Sequence, residues 1–469
     1  MGGRDPLIRP FDEWAKRRSL TRAQAAAAIA MVVAAAVGLG SAPITTGAVL
    51  IGTLQSIFVA VATWRIVMMV ALPVDAGPLA DIAALPRYTI LVALLDEAAI
   101  VDQIVSRLAA IDYPPDRLEA FLLLEAHDRE TIDAAWHADR PDWLSIVLVP
   151  PGEPRTKPRA LNVGLARATG DLITVYDAED DPHPLQLREA AARFAADRAS
   201  TLATLQAPLR IRLSDRTRTP FLDRQFALEY AGLFEVTLPA MARLGLPFPL
   251  GGTSNHFRTE RLRTVGGWDA HNVTEDADLG FRLWRAGGTL GVLTCPTHEP
   301  PPGGLEAWLP QRTRWLKGYM QTCGVHTRAL RCLGWRGLIA LMMTVAAPVI
   351  AAALHAVSLA WLAALVLIAG AAGLAPRAPV AALGVLGLGI AAAWVNAWVG
   401  ARRAGLDYRL TDALQSPLYW SMLTLAFGHA LVRLIHEPFT WNKTRHAPDA
   451  VDLAARPRLV VPMAGRRAA

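Results

Sequence analysis

Four acidic residues stand within five positions directly after a short apolar stretch. Leu172 to Tyr176 is rich in β-branched and aromatic residues, which predicts a buried strand, and Asp177, Glu179, Asp180 and Asp181 follow it. Side chains two residues apart point the same way in an extended chain, so Asp177 and Glu179 can face one ligand. Two hard oxygen ligands suit Mg²⁺ or Mn²⁺, a metal usually shared with a diphosphate. The alternative is a solvated acidic turn that caps the next helix.

Two further predicted strands also end in acidic residues. Tyr88 to Leu95 is followed by Asp96 and Glu97, and Leu118 to Leu124 runs into Glu125-Ala126-His127-Asp128. Each acid taken alone fits a helix cap or a turn. Because the carboxyl ends of parallel strands meet at one edge of a sheet, the three acidic strand ends together predict a nucleotide site there.

A lysine and a glycine-led loop add polar groups suited to a phosphate ligand. Lys157 stands at the predicted start of the helix before the Leu172 strand, where free backbone N–H groups also favour an anion. A surface lysine in a proline-flanked loop is the alternative. The loop from Gly251 to His256 suits close approach by a ligand, although a plain turn explains it equally well.

Asp276 is the candidate general base. Thr274-Glu275-Asp276 begins a predicted helix, where Thr274 can cap and the acids suit the helix dipole. That structural account is sufficient by itself. The functional hypothesis is that Asp276 deprotonates a sugar hydroxyl.

Gln311-Arg312-Thr313-Arg314-Trp315 lies on an amphipathic stretch just before an apolar region. Arg312 and Arg314 fall on different faces of a helix, so they need not do the same work. Arginine and tryptophan beside a membrane are typical of an interfacial anchor. They also suit a diphosphate and a stacked sugar ring.

Composition indicates a membrane protein with a polar middle. The 469 residues are 53% hydrophobic and 19% charged, with a mean hydropathy of +0.28, and the excess apolar content lies near the two ends. The net charge is +6, yet the chain has no long basic run with interleaved aromatic residues, which argues against a nucleic-acid partner. Three cysteines without metal-ligand spacing favour a reducing compartment.

The predicted fold class is α/β, with a mixed, mainly parallel sheet and flanking helices inserted between transmembrane helices. Strand-length and helix-length patterns alternate between residues 86 and 329. The long apolar run from Leu338 to Ala372 could make two tight crossings or one tilted crossing. The predicted domains are a cytoplasmic segment (1–22), two transmembrane helices (23–75), the α/β domain (86–329), about four further transmembrane helices (330–436) and a basic cytoplasmic tail (437–469).

These motifs, in this order, resemble the family 2 glycosyltransferases, in the membrane-embedded branch of cellulose, chitin and hyaluronan synthases. The resemblance covers about Tyr88 to Arg328 and the arrangement of flanking spans. Any one motif is weak, but all of them in order are specific. The motifs are Asp96-Glu97, Glu125 to Asp128, Lys157, Asp177-Ala178-Glu179, Thr274-Glu275-Asp276 and Gln311-Arg312-Thr313-Arg314-Trp315.

The resemblance implies a GT-A fold and an inverting hexosyl transfer from a nucleotide-diphosphate sugar, with a UDP-sugar as the expected donor. It assigns Asp276 as the catalytic base and Asp177 and Glu179 to Mg²⁺ or Mn²⁺. The expected nucleotide-sugar residues are Asp96, Glu97, Glu125, Asp128, Lys157 and Asp177, with Glu125 and Asp128 left as alternatives. The expected acceptor and diphosphate residues are Glu275, Gln311, Arg312, Arg314 and Trp315. The chain departs from the family by carrying Asp-x-Glu where Asp-x-Asp is usual.

The expected product is a growing β-linked polysaccharide, made at the cytoplasmic face of the inner membrane and extruded, with membrane lipids and an export subunit as further partners. One alternative is the addition of a single sugar to a lipid carrier or glycolipid. Another is a receptor or transporter that has lost its chemistry, although few ionisable residues interrupt the predicted spans.

Overall fold

The computed structural model describes residue 15 and residues 20–73, 84–213, 219–373 and 377–440. Most of the predicted segment 1–22 and of the predicted tail 437–469 therefore lies outside the described residues. The strands are β1 (Tyr88–Leu94), β2 (Leu118–Glu125), β3 (Leu144–Val149), β4 (Leu172–Tyr176), β5 (Asp181–Pro182), β6 (Leu202–Gln206), β7 (Leu209–Ile211), β8 (Asn255–Arg258), β9 (Thr289–Val292) and β10 (Thr297–Glu299).

The helices alternate with these strands and extend beyond them at both ends of the chain. They are α1 (Arg22–Ser41), α2 (Pro43–Val70), α3 (Val101–Ala109), α4 (Arg129–His137), α5 (Lys157–Arg167), α6 (Gln186–Ala196), α7 (Pro220–Gly232), α8 (Leu238–Arg243), α9 (Thr259–Thr264), α10 (Glu275–Arg285), α11 (Leu305–His326), α12 (Leu330–Leu341), α13 (Ala347–Ala371), α14 (Arg377–Ala404) and α15 (Leu410–His436). A single turn of π-helix, Leu233–Thr237, joins α7 to α8, and a second, Met342–Ala346, joins α12 to α13; each is called a π turn below.

The central sheet has seven strands in the order β3-β2-β1-β4-β8-β6-β9. The first four are parallel, as the alternation of apolar strands and amphipathic helices predicts, and the predicted α/β class is confirmed. β8 runs antiparallel to β4 and β6. Its amino end therefore lies at the edge where β4 ends, with Asn255 opposite Val175. This reversal brings the loop before β8 next to the acids that follow β4.

Five stretches of the described chain are long and apolar enough to cross a membrane, which marks the chain as a membrane protein. They are α1, α2, the run from Leu305 to Ile368, residues 382–404 and α15. The run from Leu338 to Ala371 is helical throughout, with only the π turn as an irregularity, so it forms one helix and not a hairpin.

The α/β domain and the apolar helices pack backbone against backbone at one point. A Cβ atom at Gly400 of α14 would lie 2.6 Å from the carbonyl carbon and oxygen of Ala231 in α7. Only glycine permits this separation, because a Cβ atom does not approach other atoms so closely. The position of α7 therefore depends on its contact with α14.

We expect Gly400→Ala to destabilise the protein, by about 1–3 kcal/mol, because the new methyl group must push α7 and α14 apart. Gly384→Ala on the same helix is the matched control, since nothing lies within 4 Å of its Cβ position. Thermal unfolding in detergent should show a lower Tm for Gly400→Ala and an unchanged or slightly higher Tm for Gly384→Ala. Equal Tm values for the two variants would contradict the close packing.

Candidate active site

A deep cleft opens at the carboxyl edge of the parallel strands. It holds about 1510 Å³ of empty space, its open mouth included. Ten of the residues predicted from the sequence line it, which brings the separate motifs to one place. They are Glu97, Glu125, Lys157, Asp177, Glu179, Glu275, Asp276, Gln311, Arg314 and Trp315.

The register of the parallel strands explains this convergence. Leu94 pairs with Leu124 and Val92 with Tyr176, so β1, β2 and β4 end at nearly the same level. The residues that follow them emerge at one edge of the sheet. Glu125 and Asp177 reach the cleft for this reason.

Asp96 and Asp128 lie outside the residues that line the cleft. One carboxylate oxygen of Asp128 accepts a hydrogen bond from the backbone N–H of Asp96 at 2.6 Å, and the other accepts from Thr131 N–H at 3.2 Å, where it caps α4. Glu125, in contrast, faces the cleft and accepts from Arg159 at 3.3 Å. Of the two alternatives at this strand end, Glu125 is the one placed to meet a ligand.

Lys157 and Asp177 form an ion pair in the middle of the cleft. The ammonium of Lys157 also donates to the carbonyl oxygen of Gly252 at 2.8 Å. Burial acts to lower the pKa of Lys157, but attraction to Asp177 and Glu275 outweighs it and the pKa is raised. Lys157 therefore stays charged and available to an anion. Gly252 has a φ of +80°, and a Cβ atom there would lie 3.0 Å from Oδ2 of Asp276.

Negative charge is crowded around Asp177. Burial raises the pKa of Asp180 well above its ordinary value, and the neighbouring Asp177 and Glu179 raise it further. Burial and the same three carboxylates also raise the pKa of Glu299, which lines the cleft. Within the described part of the chain, no three His, Cys, Asp or Glu side chains converge closely enough to hold a metal ion by themselves.

Asp276 lies in the first turn of α10 and faces the cleft. Its Oδ1 accepts a hydrogen bond from Ala277 N–H at 2.7 Å. Burial raises the pKa of Asp276, against the lowering effects of that N–H and of Arg314. Burial and the charge of Asp276 raise the pKa of the adjacent Glu275 to about 8. A carboxylate with a raised pKa is a stronger base, which suits proton abstraction from a hydroxyl.

The two arginines of α11 face different surroundings, as their helical spacing predicts. Arg314 lines the cleft. Arg312 does not, and it is only 4% exposed. Its guanidinium donates to Glu229 of α7 and to the Tyr419 hydroxyl of α15, both at 2.8 Å, and lies over the ring of Trp315 at 4.5 Å. Arg312 therefore packs against Trp315 and joins α11 to α7 and α15.

Several cleft residues were not singled out in the sequence. Glu299 comes from β10, a short edge strand with no distinctive pattern. Tyr230, Phe234 and Tyr319 form an aromatic wall with Trp315. The spacing of Tyr230 and Phe234, four residues apart on a predicted helix, is the one signal that could have indicated a shared face.

We expect the contribution of Glu275 to the stability of the ligand-free protein to fall as pH rises from about 4.5 to 8, because folded Glu275 keeps its proton up to about pH 8 while an unfolded glutamate loses it near pH 4.3. Over that window the unfolded state binds fewer protons, so rising pH favours unfolding. Glu275→Gln should flatten this slope in thermal melts, whereas Glu130→Gln, at an exposed position in the first turn of α4, should not. An unaltered slope in Glu275→Gln would show that this carboxyl is ionised in the fold.

Residues 172–376 match the model of glycosyl transferase family group 2. The chain is 25% identical over 237 residues to the probable glycosyltransferase YdaM of Bacillus subtilis, covering 50% of this chain and 55% of that protein. It is 27% identical over 278 residues to the beta-monoglucosyldiacylglycerol synthase of Synechocystis, covering 57% and 56%. It is 28% identical over 254 residues to the UDP-forming cellulose synthase catalytic subunit of Komagataeibacter sucrofermentans, covering 53% and 31%. The chain spans about half the length of these curated relatives, or less.

Among solved structures, the mannosyltransferase PcManGT of Pyrobaculum calidifontis, in complex with GDP-Man and Mn²⁺, is similar with a TM-score of 0.53 at 19% identity. The similarity covers 83% of this chain and 98% of that one. At this identity the similarity establishes the fold. The family match thus identifies residues 172–376 as part of a family 2 glycosyltransferase domain, and the structural similarity shows that the fold is GT-A.

Proposed function

We propose that the protein transfers a sugar from a nucleotide-diphosphate sugar to an acceptor hydroxyl, with inversion at the anomeric carbon and Asp276 as the base. One observation carries the proposal. Lys157 bonds both Asp177 and the Gly252 carbonyl, and Gly252 in turn lies against Asp276. The diphosphate end and the candidate base thus belong to one cleft, separated by a single glycine.

The donor would lie along the edge of the parallel strands. Glu97 and Glu125 are placed to accept hydrogen bonds from the nucleoside, and Lys157 and Arg314 are placed to bind the diphosphate. Asp96 and Asp128, which the family resemblance also assigns to the nucleotide, keep that assignment as a prediction only. Their positions favour a supporting role, because Asp128 holds the turn that presents Glu97.

A divalent cation fits this cleft. Asp177 and Glu179 offer two hard oxygen ligands, and Mg²⁺ or Mn²⁺ is commonly held by one or two carboxylates together with substrate phosphates. Burial raises the pKa of Asp180 and of Glu299, and the neighbouring carboxylates raise both further; a cation would offset that second contribution. When bound, the metal would stabilise charge on the leaving diphosphate. The solved structure of PcManGT contains Mn²⁺.

The chemical step follows from these positions. The acceptor oxygen bonds to the anomeric carbon as the bond from that carbon to the diphosphate oxygen breaks. Asp276 receives the hydroxyl proton, and the nucleoside diphosphate leaves with the electron pair of the broken bond. Lys157 and Arg314 offset the charge that develops on the leaving group. Attack from the opposite face converts an α-linked donor into a β-linkage.

The acceptor would be a growing β-linked polysaccharide, because Tyr230, Phe234, Trp315 and Tyr319 offer aromatic faces on which sugar rings can stack. A second candidate is a single transfer to a glycolipid. No described residue that lines the cleft comes from α1, α2, α13, α14 or α15, so the cleft does not continue among those helices. An enzyme acting at the membrane surface needs no such passage.

We place the catalytic domain on the cytoplasmic side of the inner membrane. Two crossings by the apolar helices α1 and α2 would put the domain on the same side as the segment that precedes α1. That segment is rich in arginine and lysine, which favours the cytoplasm.

We expect Asp276→Asn to lower sugar transfer by roughly 10²–10⁴-fold, because the amide cannot accept the acceptor proton. Purified protein in nanodiscs, given Mn²⁺ and a panel of UDP- and GDP-sugars, would be assayed for nucleotide release and product length. The exposed Asp102→Asn on α3 serves as the control and should behave as wild type. A long product supports the polymer, and a single-sugar adduct supports the glycolipid. Equal rates in Asp276→Asn and wild type would exclude Asp276 as the base.

We also expect chelation to abolish transfer, and Asp177→Asn to raise the Mn²⁺ concentration for half-maximal activity at least tenfold, because one of two protein ligands is lost. Mn²⁺ binding followed by electron paramagnetic resonance in the presence of nucleoside diphosphate provides a readout that does not depend on turnover. Asp102→Asn is again the control. Full activity after chelation would show that the basic residues alone offset the leaving-group charge.

A further inference from the structure

The segment Glu437–Thr440, which directly follows α15, lies against α11; we call it the strap. The ammonium of Lys317 donates to the carbonyl oxygens of Glu437 at 2.9 Å and Thr440 at 3.0 Å. The amide of Gln321 donates to the carbonyl oxygen of Pro438 at 2.9 Å. Two side chains one helical turn apart thus bond three of the four carbonyls of the strap.

The Lys317 contact makes the strap part of the folded domain. Lys317 is only 1% exposed, and a buried ammonium without hydrogen bonds is costly. Glu437 follows the last turn of α15, where the helix dipole favours a positive charge. Loss of the strap would leave this charge without the two acceptors that it bonds in the structure.

Gln321 continues the connection to the loop before α10. Its side-chain oxygen accepts from Val273 N–H at 3.1 Å, while its amide nitrogen bonds the strap. Arg314 donates to the carbonyl oxygen of Val273 at 3.3 Å, so both polar groups of this residue are bonded by α11.

His271 and Asn272, the two residues before Val273, also contact the strap or α11. Asn272 donates to the Thr322 hydroxyl at 3.1 Å, and the ring of His271 meets the ring of Phe439 in the strap edge-on, with centroids 5.0 Å apart. Residues 271–273 are therefore bonded to α11 and packed against the strap immediately before the helix that carries Asp276.

We infer that the strap sets the position of Asp276, with Lys317 and Gln321 as positioning residues that act through Val273. The inference rests on the proposed function, since it takes Asp276 as the base. Asp276 stands three residues after Val273, so displacement of that peptide moves the first turn of α10. A misplacement of about 1 Å can cost roughly 10²-fold in rate. The carboxylates at the ends of β1, β2 and β4, which belong to the proposed donor site, make none of these contacts. Arg314, a proposed diphosphate residue, does bond Val273, and it is retained in the variants below.

The test compares Gln321→Leu and Lys317→Met with Gln24→Leu in the full-length protein. Gln24, on α1, is a matched control because its amide also donates to α11, at the Gly324 carbonyl oxygen, 2.9 Å away. Gln321 is partly exposed, so its variant should fold even if Lys317→Met does not. We expect kcat to fall at least tenfold in both Gln321→Leu and Lys317→Met, while the donor KM stays within twofold of wild type. Both constants should match wild type in Gln24→Leu.

Hydrogen exchange supplies a readout that is independent of turnover. Lys317 donates its hydrogen bonds to the strap, so faster exchange of the amides of residues 272–276 in Lys317→Met, but not in Gln24→Leu, would show coupling through the strap. The inference would be overturned if Gln321→Leu kept the wild-type kcat and Lys317→Met kept the wild-type exchange rates. In that case the loss of activity in Asp276→Asn would still support the proposed function. If Asp276→Asn itself matched wild type, the proposed function would fail instead.

Discussion

The carboxylates crowded after β4 are the constraint on which the rest of the cleft depends. Like charges in a buried place repel one another and resist ionisation, so each needs a compensating partner. Lys157 supplies one for Asp177, and Arg107 and Arg212 meet Asp181. Asp180 accepts from Asp177 N–H and from the Thr253 hydroxyl. These groups come from four separate segments of the chain, so the acidic turn holds together the sheet, α3, α5 and the loop before β8.

A second set of contacts fixes the opposite wall. Arg312 links α11 to α7 through Glu229 and to α15 through Tyr419, and aromatic rings surround its guanidinium. Arg312 is buried whereas Glu229 is exposed, so this junction is supported by the buried guanidinium and the rings around it and not by a buried ion pair. Arg314, two residues further along the helix, faces the cleft and the loop before α10. One helix therefore carries a buried arginine that joins helices and a second arginine that faces the cleft.

The sequence predicted the parallel half of the sheet closely because its strands are mainly apolar; β4 has the predicted bounds, and β1 and β2 each differ from the prediction by one residue. It also indicated the acids that would converge, since strand ends share an edge. It did not reveal β8, whose four residues include Asn, His and Arg and lack an apolar pattern. Glu299 reaches the cleft only because β10 pairs with β5 and β7, a long-range pairing without a local signal. Asp128 caps α4, and its assignment to the nucleotide stays a prediction, because capping and ligand binding call for the same kind of side chain.

The π turn Leu233–Thr237 has a consequence for the role of the lipid. Residues on one side of this segment, such as Leu233 and Phe234, line the cleft, and the segment also contacts α2 and α14. Apolar helices adjust their tilt when the bilayer is thicker or thinner than their hydrophobic length. A change in the tilt of α14 would be transmitted through Gly400 and Ala231 to the aromatic wall. Acyl-chain length would then influence the shape of the cleft, and the membrane would do more than anchor the protein.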